Sequence, residues 1–497
     1  MLSALAFAPT HWIVAMPLGL ALLIALIDAT RSRAAAALTA WAFAFGQFLL
    51  SFAWIAESFT RQDEVPAGFA PIAVAALAAG MAVYYGLTFA AVRAFWDGPV
   101  KRMLLASLAY GLAEWIRGWA FTGFPWNPVA AIWGFSDAML QPLAVLGTWS
   151  WGLMTLLGCF SLACLWGPKR VPAFALLALA VPLAGFSYGL ARLPDGAVDT
   201  VPDLTLRLVQ PNISQRDKWR PELRGRHLAD YLALTQRRPD GSKGRWVAIW
   251  SETAVPYLLA EDAIRRALVA DALPDNGVLI TGQFRRDEPT DQRFYNSLLV
   301  IGAGGDVLAA YDKAHLVPFG EYVPLADRLG FAKPLFGVLG LASFIDSGGT
   351  LKTGPGLRTV SAANLPPFSP LICYEAIFPG EVVAAGAPRP AWLVNVTNDA
   401  WFGSSEGPHQ HLVLARMRTV EEGLPMARVA GTGISAVIDP YGRVTHKAEL
   451  LHRKAFNAPL PRAITPPPYA RWRNGLFWLS LLIFAALCFT SRLLRVS

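Results

Sequence analysis

The chain is poor in the residues that build a cross-linked, metal-loaded or highly soluble protein. Of its 497 residues only 16% are charged, and it holds four cysteines and seven histidines. No disulfide framework is readable from four cysteines in a chain of this length. Cys159, Cys164 and Cys488 lie inside long apolar stretches, where a thiol behaves as a small apolar side chain. Cys373 is the exception, set where the short run Leu371-Ile372 meets Tyr374-Glu375, and its chemistry must be explained by its neighbours. His409 and His411 stand two apart with no third ligand cluster nearby, so neither a metal site nor a cofactor is expected. Positive charge is not massed in one block either: the net +8 is spread along the chain, much of it flanking apolar segments, and no nucleic-acid partner is expected. A cleaved signal peptide's basic start and long apolar core are missing from residues 1–9, which read instead as the end of an incomplete first helix.

What the chain has is hydrophobic length. Its composition is 54% hydrophobic, and runs approaching the roughly 17–25 apolar residues of a bilayer-crossing helix are read at 12–27, 34–56, 69–92, 103–119, 139–165, 171–190 and 476–489. Basic residues sit in alternate connections: Arg31 and Arg33, then Arg93, Lys101 and Arg102, then Lys169 and Arg170, then Arg492 and Arg495. Positive charge is retained on the cytoplasmic side, so residues from about 193 to 473 are expected on the opposite face. The expected organisation is a multi-span α-helical membrane domain over 1–192, with six full spans and the incomplete first helix, an α/β domain over 193–458, a Pro-rich linker over 459–473, and a last membrane helix with a cytoplasmic tail over 474–497.

Within 193–458 the charge rises and apolar runs shorten to strand length. Strands are expected at 204–209, 246–250, 277–281, 296–301, 369–373, 392–396 and 434–438, several of them continuous apolar runs of the kind buried on both faces. Helical stretches around 222–235, 261–272 and 411–422 lie among them, which makes the class α/β. Gly302 to Asp306 reads as a hairpin loop, because no helix follows it to form a phosphate cradle.

Three strand ends carry reactive groups: Glu252 a carboxylate, Lys313 an ammonium and Cys373 a thiol. A thiol becomes a strong nucleophile when a base removes its proton and a cation lowers its pKa. Glu252 is the expected base. Lys313 is expected to stabilise the thiolate and then an oxyanion, with help from the backbone N–H of Tyr374. Singly, such residues are ordinary surface or core; the combination is what points to a reaction site.

The surrounding stretches resemble the nitrilase (carbon-nitrogen hydrolase) superfamily and its membrane-bound branch, the apolipoprotein N-acyltransferases. They are Val209 to Gln215 with Lys218-Trp219, Asp312 to Pro324, Ile372 to Glu375, Thr397 to Gly403 and, in the apolar half, Arg117 to Trp126. The resemblance implies a nitrilase-like αββα sandwich outside the membrane and a Glu252-Lys313-Cys373 triad that forms a thioester. It implies a phospholipid acyl donor, a diacylglyceryl apolipoprotein acceptor and a bacterial inner-membrane location. By the same resemblance Glu321 holds Lys313, Glu375 orients the nucleophile or the incoming amine, and Tyr374 and Trp219 line the pocket. Ser251 stands where that family commonly has proline, a departure that touches only the local turn.

Residues 324–345 are apolar although they follow a catalytic segment. They are read as a lipid-touching lid, with Phe336 and Leu341 meeting substrate. Glu114 and Arg117, three apart on one helical face, are expected to pair. Two other readings are a membrane-tethered amidase, for which one helix would suffice, and a non-catalytic transporter or receptor, which the scarcity of intramembrane charge disfavours. The orientation is testable: an alkaline phosphatase fused at Pro459 to Pro468, with the last span removed, is expected to be active, and a fluorescent reporter that needs the cytoplasm is expected to stay dark there. The opposite pattern would invert the topology.

Overall fold

The computed structural model describes residues 1–61, 66–166, 170–236, 244–291, 293–322, 351–362 and 364–490. Eight helices make the first part: α1 Ala15–Ala29, α2 Arg33–Ser51, α3 Ile55–Thr60, α4 Ala70–Val92, α5 Pro99–Arg117, α6 Asp137–Leu140, α7 Leu143–Ser161 and α8 Leu177–Arg192. Among the described residues four helical segments are long and apolar enough to cross a membrane, Arg33–Ser51, Ala67–Phe95, Leu143–Leu165 and Pro172–Arg192, and Ala15–Ala29 and Gly475–Cys488 are shorter apolar helices. The span expected at 103–119 is the helix α5, but Lys101, Arg102, Glu114 and Arg117 keep it out of that group. It packs against α4 and α7, so neighbouring helices surround much of it. The run expected at 139–165 is broken into α6 and α7, and residues 2–6 form a short 3-10 helix. Leu18, Leu22, Ile72, Leu179 and Leu183 point outward and remain exposed, which suits a surrounding of lipid. The protein is a membrane protein.

Two sheets follow. The first runs in the order β11-β1-β2-β3-β4-β5 and the second β10-β9-β8-β7-β6, where β1 is Thr200–Gln210, β2 Arg245–Ile249, β3 Gly277–Arg285, β4 Tyr295–Gly302, β5 Val307–Asp312, β6 Phe368–Ile372, β7 Trp392–Thr397, β8 Met426–Ala430, β9 Ser435–Ile438, β10 Val444–Ala448 and β11 Lys454–Pro461. Their facing sides share one apolar core in which Leu206, Ile249 and Ile280 meet Ile372, Val394 and Val429. Helices α9 Gln215–Lys218, α10 Arg224–Thr235 and α11 Ala263–Ala272 accompany the first sheet, and α12 Gly407–Glu422 lies on the second. Leu228 and Val269 close the outer face of the first sheet, and Ala415 that of the second. The result is the four-layer αββα sandwich. The hairpin at Gly302 forms as expected, with β4 and β5 antiparallel. Residues 459–461 are not linker but the end of β11, an edge strand where proline is tolerated. Two helices follow, α13 Pro468–Trp472 and α14 Gly475–Thr490.

Helix α12 is the hinge between the two parts. Pro408 sits in its first turn and Gly423, at φ 64, ends it in the left-handed conformation. One side buries Ala415 on the second sheet, while Val413, Leu414, Met417 and Val420 join the apolar cluster of the membrane helices. Its charged residues are therefore buried and must be paired. Arg418 lies 3.2 Å from Glu421 and donates to the Thr148 hydroxyl at 2.7 Å. Glu421 accepts both the backbone N–H of Thr148 at 2.8 Å and its hydroxyl at 2.7 Å. That N–H is available because α7 is interrupted at Gly147, whose φ 68 and ψ 177 belong to glycine alone.

A Cβ at Gly147 would stand 2.0 Å from the Tyr469 ring. Gly147→Ala is accordingly expected to cost a few kcal/mol of stability, combining backbone strain of about 1–2 kcal/mol with the overlap, and to lower Tm measurably in detergent; an unchanged Tm would show that this junction can shift freely.

Candidate active site

Each reactive side chain leaves the end of a strand. The chain emerges from β6 at Ile372 and turns sharply at Cys373, whose φ of 53 is left-handed and costs a residue with a side chain about 1 kcal/mol or more. Glu375 holds this turn. One of its oxygens accepts the Ile372 N–H at 2.7 Å, and the other accepts the N–H groups of Ala314 at 2.8 Å and His315 at 3.1 Å and the Tyr311 hydroxyl at 2.7 Å. Glu375 is thus a buried tie between the nucleophile segment and the Lys313 segment. Burial pushes its carboxyl pKa up, against the backbone N–H of Ile372 and the Lys313 charge.

Glu252 follows β2 and Lys313 follows β5, which places both beside the end of β6. Close approach of the Glu252 turn to β3 requires Gly282, where a Cβ would lie 2.5 Å from the Glu252 Cα. Lys313 Nζ stands 3.8 Å from Glu252 and 2.8 Å from Glu321. Asn296 bridges the two carboxylates, donating to Glu252 at 2.7 Å and to Glu321 at 2.8 Å, and the Val317 N–H donates to the other oxygen of Glu321 at 2.8 Å. Burial opposes the Lys313 charge, but the carboxylates of Glu321 and Glu252 outweigh it and raise its pKa, so it stays an ammonium.

The surroundings of the thiol disfavour its ionisation. Burial pushes the Cys373 pKa up, Glu252 adds to the rise, and Lys313 only partly opposes it. Burial and the Glu252 and Asp399 charges disfavour a negative sulfur and exceed Lys313 and Thr397, which favour it, so the balance lies toward the protonated thiol.

Tyr374 is buried and its hydroxyl donates to the Gly123 carbonyl at 2.7 Å. Trp219 is 41% exposed and stacks on Phe284 at 5.7 Å. Ser251 donates to or accepts from the Tyr231 hydroxyl at 2.7 Å. Phe336, Leu341 and the rest of 324–345 lie outside the described residues.

Several groups were not foreseen. Asn296 is one, and nothing but its place at a strand start would have singled it out. Lys218 is another: it is buried, donating to the Glu252 carbonyl at 3.1 Å and the Thr253 hydroxyl at 2.7 Å. A third is the cluster behind the nucleophile, where His411 Nδ1 lies 3.0 Å from Asp399 and Arg428 donates to Asp399 at 2.7 Å. Burial opposes ionisation of Asp399, but Arg428 and His411 bring its pKa down to about 2, and burial lowers that of His411. His411 Nδ1 is thereby engaged by a carboxylate.

The αββα sandwich, with a carboxylate, an ammonium and a thiol at its strand ends, is that of an enzyme of the carbon-nitrogen hydrolase superfamily. The sequence pattern of the Carbon-nitrogen hydrolase family matches residues 244–454, and that of the Apolipoprotein N-acyltransferase N-terminal domain matches residues 1–161. The chain is 39% identical over 494 residues to the apolipoprotein N-acyltransferase of Bradyrhizobium diazoefficiens, covering 95% of this chain and 89% of that protein. To the apolipoprotein N-acyltransferase of Rhodopseudomonas palustris it is 36% identical over 452 residues, covering 88% of this chain and 82% of that protein. The chain belongs to the apolipoprotein N-acyltransferase family, and its activity is acyl transfer.

The buried Lys218 gives a pH test of the site's electrostatics. Burial lowers its pKa to about 8, against a partial counter-effect from Glu252 and Cys373. Holding it charged costs roughly 3 kcal/mol, a cost present below pH 8 and relieved as pH rises, since the unfolded chain then binds the extra proton. Thermal stability is expected to gain a favourable increment between about pH 8 and 10 that Lys218→Met lacks. Parallel pH–Tm curves for the two proteins would place the ammonium in a wetter environment than the structure shows.

Proposed function

We propose that Cys373, Glu252 and Lys313 carry the transfer in two half-reactions through a thioester. In the first, Glu252 takes the Cys373 proton as the sulfur attacks the ester carbonyl of a phospholipid. The tetrahedral oxyanion is stabilised by the Lys313 ammonium and the Tyr374 backbone N–H. The carbon–oxygen bond breaks, Glu252 returns the proton to the leaving glycerol oxygen, and a lysophospholipid departs. In the second, the amine of an N-terminal diacylglyceryl-cysteine attacks the thioester. Glu252 takes a proton from the amine and gives it to the departing sulfur, which leaves a triacylated lipoprotein and the resting thiol. No cofactor or metal is needed in this scheme.

The observation that carries the reading is the placement of Glu252 beside Lys313, at 3.8 Å, with both acting electrostatically on the Cys373 sulfur. A protonated thiol next to a base suits proton transfer during attack better than a free thiolate exposed to water. Both substrates are membrane-anchored, so apolar helices that hold the site near the bilayer supply proximity. The catalytic face then belongs on the periplasmic side of a bacterial inner membrane, where lipoprotein amines lie. Trp219 and the apolar 324–345 segment are assigned to contact acyl chains and to exclude water from the thioester. The division of labour follows: helices up to residue 192 and the last helix anchor, and the sandwich reacts.

Cys373→Ala is expected to abolish acyl-adduct formation and Cys373→Ser nearly to do so, because a hydroxyl holds its proton more tightly than a thiol and is the weaker nucleophile when the same base removes that proton during attack. Lys313→Met and Glu252→Gln are each expected to lose on the order of 10²-fold or more in rate with the fold kept. The check is intact-mass detection of the thioester after incubation with phospholipid, alongside Tm. An adduct in the alanine variant, or full activity of either folded partner variant, would remove that residue from the mechanism.

A further inference from the structure

Glu114 and Arg117 are buried charges, at 3% and 0% exposure, that the transfer chemistry leaves unused. A guanidinium has five N–H donors, and every one of them is engaged here. Nε donates to the Tyr85 hydroxyl at 3.2 Å. One terminal nitrogen donates to the Phe124 and Trp126 carbonyls at 2.8 and 2.9 Å, and the other to Glu114 at 3.4 Å and the Asn127 carbonyl at 3.2 Å. Glu114 accepts the Val129 N–H through both oxygens, at 3.0 and 3.2 Å. The pair at the end of α5 therefore grips the following segment at four successive places.

Between α5 and those grips the chain makes a tight excursion. Phe121, Thr122 and Gly123 have φ of 53, 77 and 80. Two consecutive left-handed residues with side chains cost roughly 1–2 kcal/mol each, so the excursion persists only because it is held. Its tip reaches the catalytic domain beside the nucleophile. The Thr122 carbonyl lies 2.8 Å from His315 Nε2, the Thr122 hydroxyl lies 3.0 Å from the Tyr322 hydroxyl, and the Gly123 carbonyl accepts the Tyr374 hydroxyl at 2.7 Å. The Phe124 ring stacks on that of Tyr374 with centroids 6.3 Å apart.

Tyr374 follows Cys373 directly, and the Ile372 N–H before it is fixed by Glu375. The peptide carrying the proposed oxyanion donor is thus anchored at one end by Glu375 and at the other by the Tyr374 side chain in the gripped segment. We infer that the Glu114–Arg117 pair is a positioning clamp: through residues 118–129 it sets where the Tyr374 N–H stands relative to the Cys373 sulfur, and so makes the nucleophile's geometry depend on the membrane helices. Neither residue of the clamp touches a reacting atom. The inference rests on the assignment of Cys373 as nucleophile and of the Tyr374 N–H as oxyanion donor.

The test uses the full-length protein in phospholipid-containing detergent micelles, with Arg117→Lys, Glu114→Gln, Tyr374→Phe and the double variant Arg117→Lys/Tyr374→Phe. Lysine keeps the charge but has three donors for five sites, and phenylalanine removes only the tether. The readouts are the rate of adduct formation on Cys373 by intact mass, from phospholipid and from a short water-soluble thioester, the KM for the short donor, and Tm. Each single variant is expected to slow adduct formation on the order of 10-fold to 100-fold with both donors, with the KM for the short donor little changed. The double variant is expected to be no slower than the worse single one, since both act through one tether. Multiplied losses in the double variant, or an Arg117→Lys protein with lowered Tm and a normal adduct rate, would reduce the pair to a stabiliser of the helices. An adduct on a residue other than Cys373 in the unaltered protein would overturn the nucleophile assignment and the clamp with it.

Discussion

A charged ammonium inside a protein needs compensating charge within a few ångströms, and the active site is organised around meeting that need for Lys313. Two carboxylates, Glu252 and Glu321, lie within 4 Å of its nitrogen, and Asn296 spaces them. Burial first and the Glu252 charge second disfavour ionisation of the neighbouring thiol, and Lys313 opposes them only in part. The second buried lysine, Lys218, feels the Glu252 and Cys373 charges as well. In the proposed mechanism, reactivity then depends on moving one proton from sulfur to Glu252 rather than on storing a thiolate.

The same constraint governs the join between the two parts of the molecule. Helix α12 is buried by a sheet on one side and membrane helices on another, so its Arg418 and Glu421 pair with each other and with Thr148 at the break in α7. Near the nucleophile, the Glu114–Arg117 pair satisfies a run of backbone groups that has no regular structure to satisfy it. Buried charges at the boundary hold non-helical backbone in place, which an apolar contact, lacking direction, would not do. The proposed transfer between two membrane-bound substrates calls for a site fixed relative to the membrane helices, and these contacts join the two parts.

Sequence order and periodicity made much of this legible. Continuous apolar runs located β1 to β4, β6, β7 and β9, because strands buried on both faces need no partner to be recognised. The hairpin loop at 302–306 implied β5 without giving its bounds, and β8, β10 and β11 were missed. Two of these, β10 and β11, carry exposed or partly exposed positions, and β8 mixes Arg428 into its run. The helix α5 was visible as apolar, but its Lys101, Arg102, Glu114 and Arg117 set it apart from the long apolar spans. Glu375 could be marked as functional from its place beside the nucleophile, yet not as the tie that accepts four donors, since those donors come from residues about sixty positions away as well as from three.

By itself the sequence determined the chemistry available and the membrane setting: which residues are nucleophilic, basic or cationic, and which stretches prefer lipid. These follow from side-chain type and local hydrophobicity, which need no fold to be read. Only the tertiary structure decided the protonation of the thiol, the pairing of Lys313, the burial of Lys218 and the use of Arg117, because each depends on distances and burial between segments far apart in the chain. Electrostatic energy falls with separation and grows with exclusion of water, and neither quantity exists until the chain has folded.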